Sequence, residues 1–507
     1  MINKNHPKAT AKEWIGLSVL LLGAILYVMD LTVLHLAVPT LSNELKPTSA
    51  QLLWIIDIYG FMVAGFLVTM GTLGDRIGRR KLLMIGSAVF GLFSIMAAFS
   101  KTPEMLILSR ALLGIGGATL GPSTLSLIFS MFKDPKQRSK AIGLWISAFS
   151  AGSAIGPILG GVLLQYFWWG SVFLLAVPVM ALLLILGPIV LPEYKDPKEG
   201  QIDFISVVYS LLCLLPVIFG LKQIAQDGIS SLSLLSVLLG IVFGVLFARR
   251  QFSLKDPMFD LKLFRIPSFS ASLVVNVLAV FIAIGYFLFV AQYLQLVLGL
   301  TPFYAGLWSL PSAIGFIVGS NLVPRIAYKI KPATLISVSI GLSAIGLAVL
   351  TQVGGPNGLA TVVIASVIIS LGLAPVFGLT TELVVGSAPP ERAGAASGMA
   401  ETASELGGAL GISILGSIGI AIYRSKIADS LPKEIPSDIK AIASDTLGAA
   451  VGVAASLPKS LADSLLQISR SAFVEGMQVA AVISCAVAVI AVIITFTLLK
   501  NVKRNTH

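Results

Sequence analysis

The stretch WIGLSVLLLGAILYVMDLTVLHLAVP, residues 14–39, decides the fold class of this chain. It exceeds the roughly 20 apolar residues that a helix needs to cross a bilayer, yet it carries Asp30 in its interior. A carboxylate at that depth costs about 2.5–3.5 kcal/mol on insertion scales, so packing alone does not explain it. The stretch is too long for a secretory signal peptide and lacks a small-residue cleavage site. It therefore predicts a membrane-spanning helix with an ion or substrate site.

The composition of the chain indicates a membrane protein with many spans. Of its 507 residues, 56% are hydrophobic and 12% are charged, whereas soluble domains are roughly 25% charged. Cys213 and Cys485 lie in apolar runs and there are three histidines, so we expect no disulfide framework and no metal or catalytic centre. The sequence also lacks the G-x-x-x-x-G-K-[ST] phosphate loop. We therefore expect neither an enzyme nor a bound cofactor.

Fourteen apolar runs are long enough to span a bilayer, and lipid offers no hydrogen-bond partners to the backbone, so each is predicted to be a helix. The predicted spans cover about 15–38, 51–74, 81–100, 104–128, 141–165, 169–191, 203–222, 230–248, 268–290, 303–323, 333–352, 358–384, 394–423 and 473–499. They predict an all-α polytopic membrane protein.

The basic residues give the predicted orientation. If the N-terminus lies in the cytoplasm, the loops on that side carry most of the Lys and Arg, including the clusters within 76–81, 133–140 and 249–265. Because cytoplasmic loops are enriched in Lys and Arg, both termini are predicted to be cytoplasmic. The net charge of +11 then reflects topology, and we expect no nucleic-acid partner.

Two loops point to an internal repeat. GTLGDRIGRRK (71–81) follows span 2, and SNLVPRIAYKIK (320–331) follows span 10, with Arg76–Ile77 aligned to Arg325–Ile326. Repeated halves with a site at their interface are a transporter architecture. We expect six-helix halves at 1–191 and 268–507, a linker at 192–267 with two extra helices, and an outer helical or hairpin loop at about 424–472.

Three charges lie within the outer parts of the first spans. At about 1.5 Å per residue, Asp30, Asp57 and Arg110 fall roughly 9–12 Å below the outer ends of spans 1, 2 and 4. An unpaired Arg at that depth is costly, so Arg110 is predicted to face Asp30 or Asp57. Protonation of the carboxylate would break such a pair. The alternative for Asp57 is an interfacial cap.

Span 13 contains two further carboxylates, in GMAETASELGG (398–408). Glu401 and Glu405 are four residues apart and share a helix face. Two such carboxylates cannot both ionise easily in low dielectric, so they are expected to titrate as a coupled pair that binds protons, cations or both. The flanking small residues are predicted to leave space for a substrate: Gly398, Ala400, Ser404, Gly407 and Gly408. Alternatively, each Glu pairs with a polar neighbour. Glu382, near the inner end of span 12, is a further candidate.

Four motifs occur together: GTLGDRIGRRK (71–81), LSRALLGIGGA (108–118), GSAIGPILGG (152–161) and MDLTVLHLAVP (29–39). With them the chain resembles the major facilitator superfamily, and more closely its 14-span branch of bacterial multidrug and quaternary-ammonium:proton antiporters. The resemblance implies a major facilitator fold in the bacterial cytoplasmic (inner) membrane and the proton gradient as the energy source. We expect a monomer whose partners are protons, lipid and amphiphilic cations.

The resemblance implies that the loop motif latches helices and gates conformational change; its residues are Gly71, Gly74, Asp75, Arg76, Gly78, Arg79 and Arg80. Gly74 and Gly78 permit a tight inner turn, and Asp75 can cap the start of span 3 or pair with a neighbouring Arg.

The resemblance also implies that the antiporter motif sets the exchange direction and prevents leak; its residues are Gly152, Gly156, Pro157, Gly160 and Gly161. Three of these glycines share a helix face and allow close helix approach, while Pro157 can bend the helix. The alternative is close packing alone.

Aromatic side chains are candidates for a cavity lining that contacts lipophilic cations: Trp54, Tyr59, Trp145, Phe149 and Trp308. Aromatics at span ends also form the interface belt. The leading hypothesis is a proton-coupled exporter of amphiphilic cations. The alternatives are an exporter of one endogenous metabolite, such as a lipid, siderophore or amino acid, and a membrane sensor or channel without active transport.

Overall fold

The computed structural model describes residues 8–47, 49–194, 203–254, 257, 261–327, 330–355, 357–389, 392–432 and 434–500. We call the side that carries the α2–α3 and α4–α5 loops the inner side, following the orientation predicted from the basic residues. The first half of the chain forms α1 (Ala11–Leu45), α2 (Ser49–Ile77), α3 (Arg79–Ala98), α4 (Pro103–Met131), α5 (Pro135–Tyr166), the short α6 (Ser171–Leu174) and α7 (Ala176–Val190).

Local chemistry sets several of these boundaries. Thr102 and Asp134 accept hydrogen bonds from backbone N–H groups at the starts of α4 and α5, each followed by proline at the first helical position. Gly78 has a φ of 112°, which glycine adopts readily, and alone joins α2 to α3. Pro178 has no N–H to donate to the carbonyl of Leu174, which accounts for the break between α6 and α7.

The rest of the chain begins with a helical hairpin, α8 (Phe204–Asp227) and α9 (Ser231–Ser253). A 3-10 turn at Leu261–Arg265 leads into α10 (Pro267–Gln292), which continues as a π-helical turn at Tyr293–Val297. The remaining helices are α11 (Pro302–Ile326), α12 (Pro332–Leu350), α13 (Gly358–Gly386), α14 (Ala393–Ser430), α15 (Ser437–Ala443), α16 (Leu447–Ala454) and α17 (Lys459–Leu498).

The prediction of an all-helical protein with many spans is confirmed. Among the described residues, twelve helices are long and apolar enough to cross a membrane, and up to thirteen if the bent α2 counts as one span. The count of fourteen spans stays a prediction.

The buried apolar side chains form two large clusters. One combines residues of α1 to α7 with Val385 of α13 and Ala393 of α14, and the other combines residues of α10 to α17. The chain thus packs as two helical halves, while the exact domain boundaries stay a prediction. The α8–α9 hairpin lies along the seam between them, because Leu215 of α8 packs against Gly65 of α2 and Ser413 of α14 donates a hydrogen bond to the carbonyl of Leu221 (2.6 Å).

The outer segment is shorter and more helical than its hydropathy indicated. The expected loop began at about 424, but α14 continues to Ser430 and α17 already starts at Lys459. Between them, α15 and α16 pack against α17 through a small apolar cluster that includes Ile435, Ala450 and Leu465. Hydropathy marks only the part of a helix that lies in lipid, so it missed these extensions. The helical nature of the segment is confirmed.

Candidate functional site

Asp30 and Arg110 form a buried ion pair between α1 and α4. The Nη1 of Arg110 lies 3.0 Å from the Oδ2 of Asp30, and their side chains are 1% and 10% exposed, respectively. The Nη2 of Arg110 also approaches the carbonyl of Ile56 on α2 (3.5 Å). The predicted pairing of Arg110 with one of the two carboxylates is therefore confirmed for Asp30. Asp57 is half-buried on α2, one residue from Ile56.

The helix that carries Asp30 extends beyond its predicted span. The sequence placed the outer end of the first span at about residue 38, but α1 runs to Leu45. About four helical turns therefore separate Asp30 from the outer end of its helix. Arg110 sits about two turns inside the start of α4 at Pro103. The two charges still meet, because α1 projects further outward than α4 does.

Two buried tyrosines lie beside the ion pair. The ring of Tyr59 is 5.1 Å from the Arg110 guanidinium carbon, and its hydroxyl donates a hydrogen bond to the carbonyl of Tyr27 (3.4 Å). A buried guanidinium over an aromatic ring gains a cation–π attraction. Tyr27 was not predicted as a site residue, because an aromatic inside an apolar helix carries no signal in the sequence.

The aromatic candidates separate into two groups. Tyr59, Trp145 and Phe149 join through Tyr27, with ring centroids 6.4 Å apart for Tyr27–Tyr59, 6.0 Å for Tyr27–Phe149 and 4.6 Å for Trp145–Phe149. Trp54 and Trp308 are instead 44% and 41% exposed, as the interface belt would be. The first group can form one aromatic wall.

Glu401 and Glu405 lie half-buried on α14, across from the first half of the molecule. A Cβ placed on Gly121 of α4 would lie 3.6 Å from the carboxyl carbon of Glu401, so this carboxylate packs against the other half. The negative charge of Glu405 also acts on Tyr27 and Tyr59. Tyr59 is thus near enough to the Asp30–Arg110 pair and to Glu405 to interact electrostatically with both.

Asn276 is a buried residue of this region that the sequence analysis missed. Its amide nitrogen donates to the hydroxyl of Ser404 on α14 (2.8 Å), and its amide oxygen accepts from Thr380 on α13 (3.3 Å). It therefore fixes α14 next to the glutamates. A polar amide in the apolar run of α10 was the signal that could have revealed it.

The predicted use of Gly407 was wrong. A Cβ on Gly407 would lie 2.5 Å from the carbonyl oxygen of Val277 on α10. The absence of a side chain there serves close packing of two helices. The small residue that does adjoin a glutamate is Gly121, on the opposite half.

The loop motif binds the two halves together on the inner side. Asp75 accepts hydrogen bonds from the backbone N–H groups of Gly394 (3.0 Å) and Ala395 (2.9 Å) at the start of α14, and from Arg79 (2.9 Å). Its expected pairing with a neighbouring Arg is confirmed. The helix that it caps is α14 rather than α3, since the partner comes from the distant half, which no local pattern reveals.

The two copies of the repeated loop occupy equivalent contacts. The alignment of Arg76 with Arg325 places Gly71 opposite Ser320. A Cβ on Gly71 would lie 2.5 Å from the carbonyl oxygen of Gly394, and a Cβ on Gly143 of α5 would lie 2.8 Å from that of Ser320. Each copy therefore makes a close backbone contact with the other half. Ser147 and Asn321 add a hydrogen bond of 2.9 Å to the second contact.

Glu382 joins the same inner surface. Its carboxylate forms a hydrogen bond with Ser139 and lies near Arg138, both at the inner end of α5. Ser126 and Ser397 approach to 3.4 Å between α4 and α14. These contacts all lie toward the inner ends of their helices, so the structure is closed on the inner side.

Residues 79–81 of the loop motif contact Glu193 and Tyr194, which follow α7. Glu193 pairs with Arg80 (3.5 Å) and accepts from the backbone N–H of Lys81, and Arg79 lies over the ring of Tyr194 (4.6 Å). The sequence analysis missed Glu193 and Tyr194. Gly74 packs against Leu82, and Arg76 is half-buried in the last turn of α2.

The antiporter motif packs α5 on α1 next to Asp30. A Cβ on Gly152 would lie 2.6 Å from the carbonyl oxygen of Ile25, about one turn from Asp30. Gly156 and Gly160 are buried on the same helix, whereas Gly161 faces open space. The side chain of Pro157 lies outside the described residues. The predicted close helix approach is thus found at Gly152.

Comparisons with known proteins agree with this architecture. The family model described as Major Facilitator Superfamily matches residues 20–412. The chain is 40% identical to the multidrug efflux pump LfrA of Mycolicibacterium smegmatis, over 94% of each chain. It is 36% identical to the methyl viologen resistance protein SmvA of Salmonella typhimurium, over 92% of this chain and 94% of that one.

A solved structure shares the fold. The human organic anion transporter MFSD10 aligns over 95% of this chain and 99% of its own, with a TM-score of 0.60 and 14% identity. At that identity the likeness concerns the fold alone. With the family match over most of the sequence and relatives of nearly equal length, the chain belongs to the Major Facilitator Superfamily.

Proposed function

We propose that this chain exports amphiphilic, mainly cationic compounds across the bacterial cytoplasmic membrane in exchange for protons, by alternating access. The names of its relatives, a multidrug efflux pump and a methyl viologen resistance protein, support drug export. Two carboxylates within an otherwise apolar span suit a cation, as does the aromatic group around Tyr27. In this proposal the chain acts as a monomer, and both termini face the cytoplasm.

The buried Asp30–Arg110 pair carries the proposal of proton coupling. Its 3.0 Å contact depends on a negative charge on Asp30. A proton on that carboxylate removes the charge and leaves Arg110 buried without its partner, which is costly. Protonation therefore changes the relative free energies of the two conformations of the transporter. The ion pair can in this way couple proton binding to helix movement.

Glu401 and Glu405 are proposed to attract the substrate cation. They lie on α14, whose first residues Gly394 and Ala395 are held by Asp75 of the other half. A change in the inner contact at Asp75 would thus move the helix that carries the glutamates. In the inner-closed arrangement a bound cation would leave toward the outside, and proton binding would follow.

Transport by the purified protein in liposomes tests this proposal. We would impose a pH gradient and follow ethidium or methyl viologen, with wild type beside Asp30→Asn and the matched control Asp203→Asn. Asp203 also pairs with an arginine, Arg250 at 2.7 Å, but on the inserted hairpin. We expect gradient-driven accumulation to fall by about tenfold or more in Asp30→Asn, on the scale of lost proton-transfer groups, and to persist in Asp203→Asn.

The opposite results are equally informative. Gradient-driven transport that persists in Asp30→Asn would reject Asp30 as the coupling residue. If no amphiphilic cation moves in response to the gradient, drug export itself is wrong, and an exporter of one endogenous metabolite becomes the better explanation.

A further inference from the structure

A crevice inside the first half of the molecule reaches Asp30 from the side of α6 and α7. It lies between α1 and the helix break at Leu175 and has a cavity volume of about 10 Å³, close to the smallest that holds one water molecule. Its walls include Val33, Val172 and Ala176, and among the described residues that line it Asp30 is the one polar side chain. The crevice is open on one side and has room for a water molecule.

The charged and aromatic groups near the Asp30 carboxylate come from α4 and α2. Arg110 faces it from α4, and Tyr59 lies near it on α2. The helices α6 and α7 contribute no titratable side chain, because Ser171 is the one polar residue in their sequences. The side of Asp30 that meets α6 and α7 is therefore lined only by hydrocarbon and by the crevice.

Arg110 provides a second observation at the same place. Its Nε is buried and has no hydrogen-bond partner within the described part of the chain. Its guanidinium carbon lies 5.9 Å from the ring of Phe173, which lines the crevice. An unsatisfied charged donor this deeply buried is costly, and a water molecule next to it would satisfy it.

Two buried aromatic side chains, neither of them among the residues that line the crevice, lie near the ion pair. Tyr59 is fully buried and Tyr27 is 5% exposed, and the two are joined by the hydrogen bond described above. Glu401 and Glu405, where the substrate cation is proposed to bind, are near enough to Tyr27 to interact with it electrostatically.

We propose that the crevice between α1 and the α6–α7 break is a water-binding site through which protons reach Asp30, separate from the path of the substrate. The inference rests on the proposed role of Asp30 in proton coupling. A hydronium-like water in the crevice, protonated from the solvent with which it exchanges, transfers a proton to the carboxylate of Asp30 and is left as neutral water. The O–H bond of the acid forms as the O–H bond of a hydronium-like water breaks, so charge and atoms balance.

Hydrogen–deuterium exchange at Asp30 tests the proposal without requiring transport. At a pH low enough to protonate Asp30, its carboxylic acid band would be assigned in infrared spectra of the purified protein by comparison with Asp30→Asn, and the shift of that band followed after transfer to D₂O. Ala176→Leu fills the crevice. Ala181→Leu makes the same change at an exposed position of α7 and serves as the matched control.

We expect Ala176→Leu to slow the exchange by about tenfold or more, as loss of a positioned proton donor does, and Ala181→Leu to leave it unchanged. Val33→Ala widens the crevice from α1 and should speed the exchange. This variant tests the proposal even if Ala176→Leu does not fold. Exchange at the wild-type rate in both crevice variants would overturn the proposal. Failure of proton-driven transport with crevice-dependent exchange would instead reject only the proposed function.

Discussion

At the scale of single residues, removing the charge of Asp30 and removing that of Arg110 are expected to have non-additive effects on stability. Arg110→Gln leaves a buried carboxylate without its partner and should destabilise the protein by about 3–5 kcal/mol. The double variant Asp30→Asn/Arg110→Gln removes both charges and should recover much of that loss, although it should not transport. Thermal unfolding in detergent of the two single variants and the double variant measures this coupling. A double variant no more stable than Arg110→Gln would contradict it.

Residue pairs of this kind were predictable only where a charge stood out against an apolar run. Counting residues from the span ends brought Arg110 near Asp30, although the outer extension of α1 was not visible. Tyr27 and Glu193 were missed, because a tyrosine in a span and an acid in a loop are common in any membrane protein. Their importance comes from partners that only the folded chain supplies.

At the scale of helices, the backbone contact between α2 and α14 should control opening of the inner side. Gly71→Ala places a Cβ 2.5 Å from the carbonyl of Gly394. Overpacking of this kind costs about 1–3 kcal/mol, which favours the inner-open conformation. Spin labels on the inner ends of α2 and α14 should report a longer distance. Gly60→Ala on the same helix meets nothing within 4 Å and should not shift the distance.

The cap that Asp75 forms on α14 should have a similar effect through charge. Asp75→Asn keeps an oxygen acceptor but loses the ionic contacts with Arg79 and with the helix N-terminus, which together are worth about 1–3 kcal/mol. We expect the inner side to open more often, and a cysteine at Ser397, which is now buried, to react faster with a reagent added from inside. Unchanged reactivity would show that the cap does not limit opening.

The Asp203–Arg250 ion pair at the base of the α8–α9 hairpin should keep its charges between about pH 5 and 8. Hydrogen bonds from Arg250 lower the pKa of Asp203 from 3.8 to about 2. A lowered pKa means that the pair's stabilisation is complete above the ordinary carboxyl value and is lost only as pH falls toward about 2. Between roughly pH 5 and 8, Asp203→Asn should therefore leave the shape of the transport–pH profile unchanged. A shifted profile would implicate the hairpin in coupling.

At the scale of the whole molecule, the predicted orientation can be tested with cysteines. Ser437→Cys lies in the segment between α14 and α17, and Lys136→Cys lies in the first turn of α5. With Cys213 and Cys485 replaced by alanine, an impermeant maleimide added to intact cells should label the first site and not the second. Labelling of both sites would show an error in the number of spans.

The two halves were predictable from the sequence, because apolar runs and a repeated loop survive as patterns along the chain. The contacts between the halves were not. Asp75 binds Gly394 and Ala395, more than 300 residues away, through backbone groups that every residue possesses. Gly143 and Ser320 likewise meet through a carbonyl oxygen. Composition is therefore enough to predict the fold class. The conformational state depends on backbone contacts between the halves, which composition does not specify.

The outer helices α15 and α16 provide a surface to which an antibody fragment can bind for imaging. They rest on α17 and on the outer extension of α14, where Tyr423 donates a hydrogen bond to the carbonyl of Ala443 (2.8 Å). Arg424 and Asp445 join the same two parts by an ion pair. All of these residues belong to the second half. An antibody fragment raised against this cap would therefore add mass for particle alignment in electron microscopy without bridging the halves or arresting the transport cycle.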